Sequence, residues 1–241
     1  MKIVLLDIEG TTTPVSFVYE VLFPFAWRRI AAYLAQHWND ADVLDIRARL
    51  ALEHAKEDPS PGFDVRTLAG AAGFAAWLME RDRKSTGLKY LQGLIWNEGY
   101  REGTLRGDLF PDVPFAIERW HRAGVVIAIY SSGSVLAQRL LFASTAAGDL
   151  TPMIAGFFDT SVGPKSEPHS YERIAAALDA YPADITFISD AVVELDAAKA
   201  AGCDTRLCLR PDTAPAHQST SSTSSTGAPA HLVVETFDEL P

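Results

Sequence analysis

Two acidic residues at the end of a short apolar run are the groups in this sequence best placed to do chemistry. Asp7 and Glu9 follow residues 2–6, which lack helical spacing and predict a strand buried on both faces of a parallel sheet. Because alternate side chains of a strand share a face, the two carboxylates could bind one metal ion or divide the roles of nucleophile and acid–base catalyst. The spacing by itself equally fits a polar strand end followed by a threonine-rich turn.

Polar residues also follow two later apolar runs. Residues 125–130 lead into Ser-Ser-Gly-Ser at 131–134, and residues 185–189 lead into Asp190. Hydroxyl and N–H groups at the junction between a strand and a helix N-terminus form an anion site. The carboxyl ends of the strands are also where open α/β sheets bind their ligands. These residues suit a site for phosphate or a hard metal ion at this edge, although Ser-Ser-Gly-Ser taken alone is also a common helix cap.

The order of these motifs resembles that of the haloacid dehalogenase (HAD) superfamily of phosphohydrolases. Residues 7–18, Asp-Ile-Glu-Gly-Thr-Thr-Thr-Pro-Val-Ser-Phe-Val, are similar to its enolase-phosphatase (acireductone synthase) branch, which belongs to methionine salvage and methionine biosynthesis. Residues 130–138 and 84–96 are similar to the same branch. The resemblance extends over the whole chain except for a Ser/Thr-rich insert.

The resemblance implies a role for residues whose function cannot be derived from the sequence alone. Asp7 would be the nucleophile that forms an aspartyl-phosphate, with Glu9 and Lys165 as further catalytic residues. Ser131, Ser132 and Lys165 would bind the phosphate. A single lysine is usually solvated, so the role of Lys165 rests on its position in the third motif of the superfamily.

The resemblance also implies a Mg²⁺ cofactor, bound by Asp7, Glu9 and Asp190, and these hard oxygen ligands favour Mg²⁺ over zinc. Glu194 is a candidate outer partner of this site, and an exposed helix face is the alternative for it. In most of the superfamily an aspartate stands in the position of Glu9. We hypothesise that Glu9 takes part in proton abstraction, with cap residues Lys84 and Lys89 as the next candidates.

The implied substrate is a small phosphorylated molecule, 2,3-diketo-5-methylthiopentyl-1-phosphate. The enzyme would enolise it and then hydrolyse the phosphate to give acireductone. Three alternatives stay open: a Mg²⁺-dependent HAD phosphatase for another small phosphomonoester, a haloacid dehalogenase that needs no Mg²⁺, and a non-catalytic phosphate-binding module. A module that only binds has no need of a nucleophile, which argues against the last alternative.

Strand patterns alternate with helix patterns along the chain, which predicts an α/β fold. With the resemblance, the expected fold is a HAD-like Rossmannoid parallel sheet with helices on both faces. Residues 1–13 and 107–241 form the core domain, and residues 14–106 form an all-helical cap inserted after the first strand. The predicted cap helices cover 15–38, with a break or kink at Pro24, and then 42–56, 64–81 and 88–100. Lys84, Lys89 and Trp96 are cap residues that could face the substrate.

Three further predictions concern the core domain. Asp112 is expected to cap a helix that ends before Gly124. Asp196 is expected on an exposed helix face. Residues 213–230 are rich in Ser and Thr, cannot bury enough surface to fold alone, and predict a solvated loop before a last strand at 231–234.

Composition excludes several classes of protein. The net charge of −10 argues against nucleic-acid binding, which requires basic surfaces. No apolar run approaches the ~18 residues of a membrane span, so no membrane association is expected. The two cysteines predict neither a disulfide framework nor a zinc site. A soluble, cytoplasmic monomer is expected.

Overall fold

The computed structural model describes residues 2–83, 85–210 and 230–240. The chain divides into two compact units. An α/β unit comprises Met1–Phe17 and Arg106–Pro241, and a helical unit comprises Val18–Leu105. Of the residues predicted as a loop at 213–230, only Ala230 is among those described.

The α/β unit contains a sheet of six parallel strands in the order β3-β2-β1-β4-β5-β6, which is a doubly wound order. The predicted fold class is therefore confirmed. Residues Val4, Leu5 and Leu6 of the central strand are completely buried, as its unbroken apolar sequence requires. The strands are β1 Ile3–Leu6, β2 Val126–Tyr130, β3 Gly156–Phe158, β4 Ile185–Ser189, β5 Asp204–Cys208 and β6 Leu232–Val234.

The register of the central strands brings their carboxyl ends together. Leu6 of β1 lies opposite Ile129 of β2 and Ile188 of β4. The residues that follow these three strands are therefore neighbours at one edge of the sheet. The strand order reverses between β1 and β4, and ligands of doubly wound proteins bind at this switch point.

The helical unit has four α-helices, and none of its described residues lies in a strand. They are α1 Phe23–Gln36, α2 Ala41–His54, α3 Leu68–Glu80 and α4 Thr86–Arg101. Each lies where the sequence predicts a helix, with ends displaced by a few residues. The predicted break near Pro24 takes the form of a π-helical stretch, Phe17–Leu22, just before α1. Pro24 lacks an N–H and crowds the preceding turn, which favours this wider winding.

Among the described residues, four α-helices accompany the sheet: α5 Asp112–Arg122, α6 Val135–Ala143, α7 Pro168–Ala177 and α8 Val192–Ala200. The prediction that Asp112 caps α5 is wrong, because Pro111 occupies the N-cap position and no side chain caps the helix. Gly124 follows the end of this helix with φ +74°, a conformation that glycine adopts without strain. Asp112 instead bonds Arg210 and the backbone of Phe237.

Three further expectations concern the cysteines, membrane-spanning helices and Asp196. Cys203 and Cys208 are buried free thiols. No described helix is long and apolar enough to cross a membrane. Asp196 is exposed on α8, as expected, and its carboxylate lies 3.1 Å from Nε2 of His231.

Candidate active site

Asp7 is the first residue after β1, and it is buried. Three donors surround its carboxylate. Nζ of Lys165 donates to Oδ1 at 2.6 Å, the hydroxyl of Ser189 donates to Oδ2 at 2.8 Å, and the N–H of Ile8 donates to Oδ1 at 2.8 Å. These bonds hold both carboxylate oxygens in one orientation.

The loop at residues 8–13 follows the predicted nucleophile, and this nucleophile loop turns the chain away from β1. The carbonyl of Ile8 accepts bonds from the N–H groups of residues 11–13 at 2.9 to 3.2 Å, and Glu9 forms an isolated β-bridge with Thr13. Gly10 has φ +71°, and a Cβ there would lie 2.3 Å from Oδ2 of Asp190. Glycine is needed both for the backbone conformation and for the close approach of this carboxylate.

A hydroxyl-rich turn joins β2 to the N-terminus of α6. Ser131 is buried, and its Oγ accepts a bond from the N–H of Gly133 at 3.1 Å. Ser134 is the N-cap of α6, with its Oγ accepting from Ala137 N at 3.3 Å, and Ser132 is exposed. The first N–H groups of a helix and its dipole favour an anion at this position, as the sequence predicts.

Lys165 is buried between two carboxylates. Its Nζ lies 2.6 Å from Oδ1 of Asp7 and 2.5 Å from Oε2 of Glu194. Burial disfavours the ammonium, but the two carboxylates outweigh this effect and raise the pKa of Lys165. The side chain is therefore a positive charge beside Asp7.

Glu194 on α8 pairs directly with Lys165, and through Lys165 it lies one contact away from Asp7. Burial and then the charge of Asp7 raise the pKa of Glu194 to about 7, although Lys165 acts in the opposite direction. Sequence reasoning missed Ser189, whose hydroxyl lies 3.3 Å from Oε2 of Glu194 as well as bonding Asp7. Its one sequence signal is a hydroxyl next to Asp190 at the end of an apolar strand.

The loop that carries Lys165 is fixed by side chains. Each of the four consecutive carbonyls at 162–165 accepts a side-chain hydrogen bond at 2.7 to 2.9 Å. Arg173 donates to the carbonyl of residue 162, Tyr130 to that of 163, Ser170 to that of 164 and Tyr171 to that of 165. Three of these donors belong to α7, the helix that follows the loop. The ammonium is thus presented by a rigid backbone, which keeps it in place for a developing charge.

Asp190 follows β4, and the donor set around it fits a magnesium ion. Burial, the charge of Asp7 and, more weakly, that of Glu9 raise the pKa of Asp190 to about 7. A divalent cation would relieve this crowding of carboxylates. Within residues 2–83, 85–210 and 230–240, no three His, Cys, Asp or Glu side chains form a ready-made metal cage. Mg²⁺ needs none, because it keeps several waters and binds through one or two carboxylates.

The candidate residues of the helical unit have different surroundings. Trp96 is buried, stacks on Phe23 with 6.4 Å between ring centroids, and donates its indole N–H to the carbonyl of Leu22 at 2.8 Å. It is a core residue of this unit. Lys89 is half-buried on α4, and Lys84 lies outside the described residues.

A buried carboxylate that meets a fixed ammonium beside a hydroxyl-lined helix N-terminus can attack a bound phosphate group and offset the charge of the transition state. Together with the doubly wound sheet, this geometry defines a phosphohydrolase of the α/β class. A family model described as haloacid dehalogenase-like hydrolase matches residues 1–202.

Curated relatives narrow the family further. Enolase-phosphatase E1 of Synechococcus elongatus is 51% identical over 212 residues, which cover 87% of this chain and 89% of the relative. Enolase-phosphatase E1 of Sorangium cellulosum is 44% identical over 239 residues, covering 99% and 97%. The chain belongs to the haloacid dehalogenase-like hydrolases and, within them, to the enolase-phosphatase E1 family.

Solved structures share the architecture. The UTR4 protein of Saccharomyces cerevisiae is 32% identical, with a TM-score of 0.77 and 99% of each chain covered. A dehalogenase at 18% identity, with a TM-score of 0.53, shares the fold alone.

Proposed function

We propose that this phosphatase converts 2,3-diketo-5-methylthiopentyl-1-phosphate to acireductone and phosphate, as the resemblance of its motifs implies. The relatives named enolase-phosphatase E1 support the activity along most of the chain. The observation that carries the chemistry is the contact of 2.6 Å between Asp7 and the buried ammonium of Lys165. It joins a carboxylate nucleophile to a cation that can bind a phosphoryl oxygen.

In the phosphatase step, an oxygen of Asp7 attacks phosphorus as the bond to the ester oxygen breaks. The products are an aspartyl-phosphate and the enolate of the acireductone. Water then attacks the phosphorus, which releases phosphate and restores the carboxylate. Lys165 offsets negative charge throughout, since its two acidic neighbours keep it protonated.

The hydroxyl-rich turn supplies the rest of the phosphate site in this proposal. Ser131 and Ser132 donate hydrogen bonds to the phosphoryl oxygens, next to the N-terminus of α6. No three acidic side chains of the described residues form one metal group, so of the three implied ligands the carboxylates of Asp7 and Asp190 would hold Mg²⁺, with waters completing its ligand set. When bound, Mg²⁺ would neutralise charge on the phosphoryl group, and Glu9 stays available as a base.

The enolase step precedes phosphate release. The phosphate ester of the substrate sits on a carbon beside a carbonyl, so loss of a proton from that carbon gives an enol phosphate. Its leaving group is a delocalised enolate that departs without protonation by an acid. Glu9 is therefore not needed to protonate the leaving group, and we propose that it abstracts the proton in the enolase step.

The remaining parts of the proposal concern the whole protein. The helical unit selects the substrate, an assignment supported by the resemblance of residues 84–96 to the enolase-phosphatase branch. The enzyme acts on a small molecule as a cytoplasmic monomer and binds neither nucleic acid nor membrane. Its net charge of −10 agrees with the absence of a polyanionic partner.

The test is incubation of the purified protein with the diketone phosphate and Mg²⁺ while ultraviolet absorbance and phosphate release are followed together. We expect the absorbance of the acireductone to rise in step with phosphate. Rapid hydrolysis of other small phosphomonoesters, with no reaction of the diketone phosphate, would identify a phosphatase of different specificity. Dehalogenation in excess chelator would contradict the phosphatase assignment.

A further inference from the structure

Arg210, the second residue after β5, reaches into the nucleophile loop. Its side chain is buried, and Nε and Nη2 both donate to the carbonyl of Thr11, at 2.9 and 2.8 Å. Thr11 lies four residues after Asp7 in the sequence and is itself completely buried. One guanidinium therefore donates two hydrogen bonds to a single carbonyl of the nucleophile loop.

The loop has two kinds of support. Inside the loop, the carbonyl of Ile8 accepts hydrogen bonds from the N–H groups of residues 11–13. From outside, the N–H of Phe110 donates to the carbonyl of Thr12 at 3.0 Å, and Arg210 holds Thr11. The internal bonds fix the shape of the turn, whereas the external bonds fix its place relative to the sheet.

The third nitrogen of the guanidinium, Nη1, also donates two hydrogen bonds. Nη1 donates to Oδ2 of Asp112 at 2.7 Å and to the carbonyl of Glu235 at 3.2 Å. Burial opposes ionisation of Asp112, but the N–H of Phe237 and the Arg210 cation lower its pKa, so the carboxylate stays charged. Cζ of Arg210 also lies 4.5 Å from the ring centroid of Phe110 and 4.6 Å from that of Phe237.

We propose that Arg210 is a positioning residue for catalysis: by holding the carbonyl of Thr11, it keeps the nucleophile loop where Asp7 faces Lys165. This inference rests on the proposed role of Asp7. A planar guanidinium can give two N–H groups to one oxygen while bonding a carboxylate with the third nitrogen, which an ammonium cannot reproduce. Displacement of a reacting group by about 1 Å can cost on the order of 10²-fold in rate.

Arg119 provides a matched control. Its Nη2 donates to the carbonyls of Phe237 and Leu240 at 2.8 and 2.9 Å, so it ties the same C-terminal segment to α5. Those bonds involve no residue of the nucleophile loop. The Arg119 side chain is 40% exposed and that of Arg210 only 3%, but loss of Arg119 also removes an anchor of this C-terminal segment, and it does so without releasing Thr11.

The experiment compares Arg210→Met, Arg210→Lys and Arg119→Met with the wild type. The measurements are melting temperature, and kcat and KM for the diketone phosphate and for p-nitrophenyl phosphate. For Arg210→Met we expect kcat to fall about 10- to 100-fold on each substrate that the wild type hydrolyses, with KM changed by less than about threefold. Arg210→Lys should lose less, and Arg119→Met should lower the melting temperature while kcat stays within about twofold.

Chemical rescue separates positioning from folding. Guanidinium ion, at concentrations far below those that unfold proteins, should restore part of kcat to Arg210→Ala and none to Arg119→Ala. Wild-type kcat in folded Arg210→Met would overturn the inference, as would equal losses in the Arg210 and Arg119 variants without rescue. If Arg210→Met does not fold, Arg210→Lys and the rescue decide. A wild type that hydrolyses only p-nitrophenyl phosphate would instead contradict the proposed substrate, and the same variants would still test Arg210.

Discussion

Replacement of Asp7 by asparagine should abolish phosphate release and leave the fold intact. Asparagine has the same shape, but it keeps one side-chain oxygen as an acceptor and carries an NH₂ donor in place of the other. The hydroxyl of Ser189 can rotate to accept from the new NH₂ group, so that the amide oxygen still faces Lys165. Every polar group near position 7 keeps a partner, and we expect the free energy of unfolding to change by no more than about 1–2 kcal/mol.

The expected loss of activity is far larger than this change in stability. An amide does not form the acyl phosphate, and loss of a covalent nucleophile lowers kcat by on the order of 10⁴-fold or more. That factor corresponds to about 5 kcal/mol of activation free energy. The assay is phosphate release under saturating substrate and Mg²⁺. Asp196→Asn, which changes an exposed carboxylate of α8, is the control and should retain full activity.

The same variant makes a signed prediction about pH in the metal-free enzyme. The charge of Asp7 contributes to pKa values of about 7 for Glu194 and Asp190, both raised above their ordinary values. The folded state then binds more protons than the unfolded state, so stability should decline as pH rises from about 4 to about 7. In Asp7→Asn this decline should be shallower. Melting temperatures in excess chelator measure it.

Undiminished turnover by pure Asp7→Asn, checked by mass spectrometry for deamidation, would refute the nucleophile assignment. A decline of stability with pH that is as steep in the variant as in the wild type would refute the electrostatic part of the reasoning.

Three further predictions address the metal, the enolisation base and the insert. Chelation should silence the enzyme, Mg²⁺ should restore it, and Asp190→Ala should raise the Mg²⁺ requirement sharply or eliminate activity; full activity in excess chelator would contradict this. Glu9→Gln should slow enolisation more than phosphoryl transfer, so that rapid-mixing absorbance detects no enol phosphate, whereas its accumulation would assign Glu9 to dephosphorylation. Replacement of residues 214–229 by a short Gly/Ser linker should change melting temperature and activity little, because halving a loop alters closure entropy by only about 0.6 kcal/mol.

The sequence predicts best where a local pattern and the fold agree. β1 and β4 are predictable because β1 is an unbroken apolar run, β4 is interrupted only by Thr186 before Ser189, and each is followed by an acid, Asp7 or Asp190. β3 has only three residues, too few to show a period, so no pattern in the sequence predicts it. Asp112 illustrates a local preference that a tertiary contact overrides, since its carboxylate bonds Arg210 instead of capping α5.

Contacts within the site that join distant parts of the chain have no local pattern in the sequence that would predict them. Lys165 could be found by its place among family motifs, but its pairing with Glu194 depends on the path of the loop at 162–165, which the sequence does not reveal. Ser189 carries no distinctive spacing. Arg210 bonds a residue 199 positions away, and no local pattern marks such a contact.

The strand order has a consequence for how the protein is made. β1 is synthesised first, but both of its partners, β2 and β4, follow only after the helical unit. At about 5–20 residues per second, roughly 6 to 25 seconds pass before β2 leaves the ribosome, and β1 remains an unpaired apolar segment during that time. The helical unit can fold from its own contacts meanwhile. The bonds from Arg210 to the carbonyl of Thr11 form later still, so a chain that stalls before residue 210 carries Asp7 without this anchor of its loop.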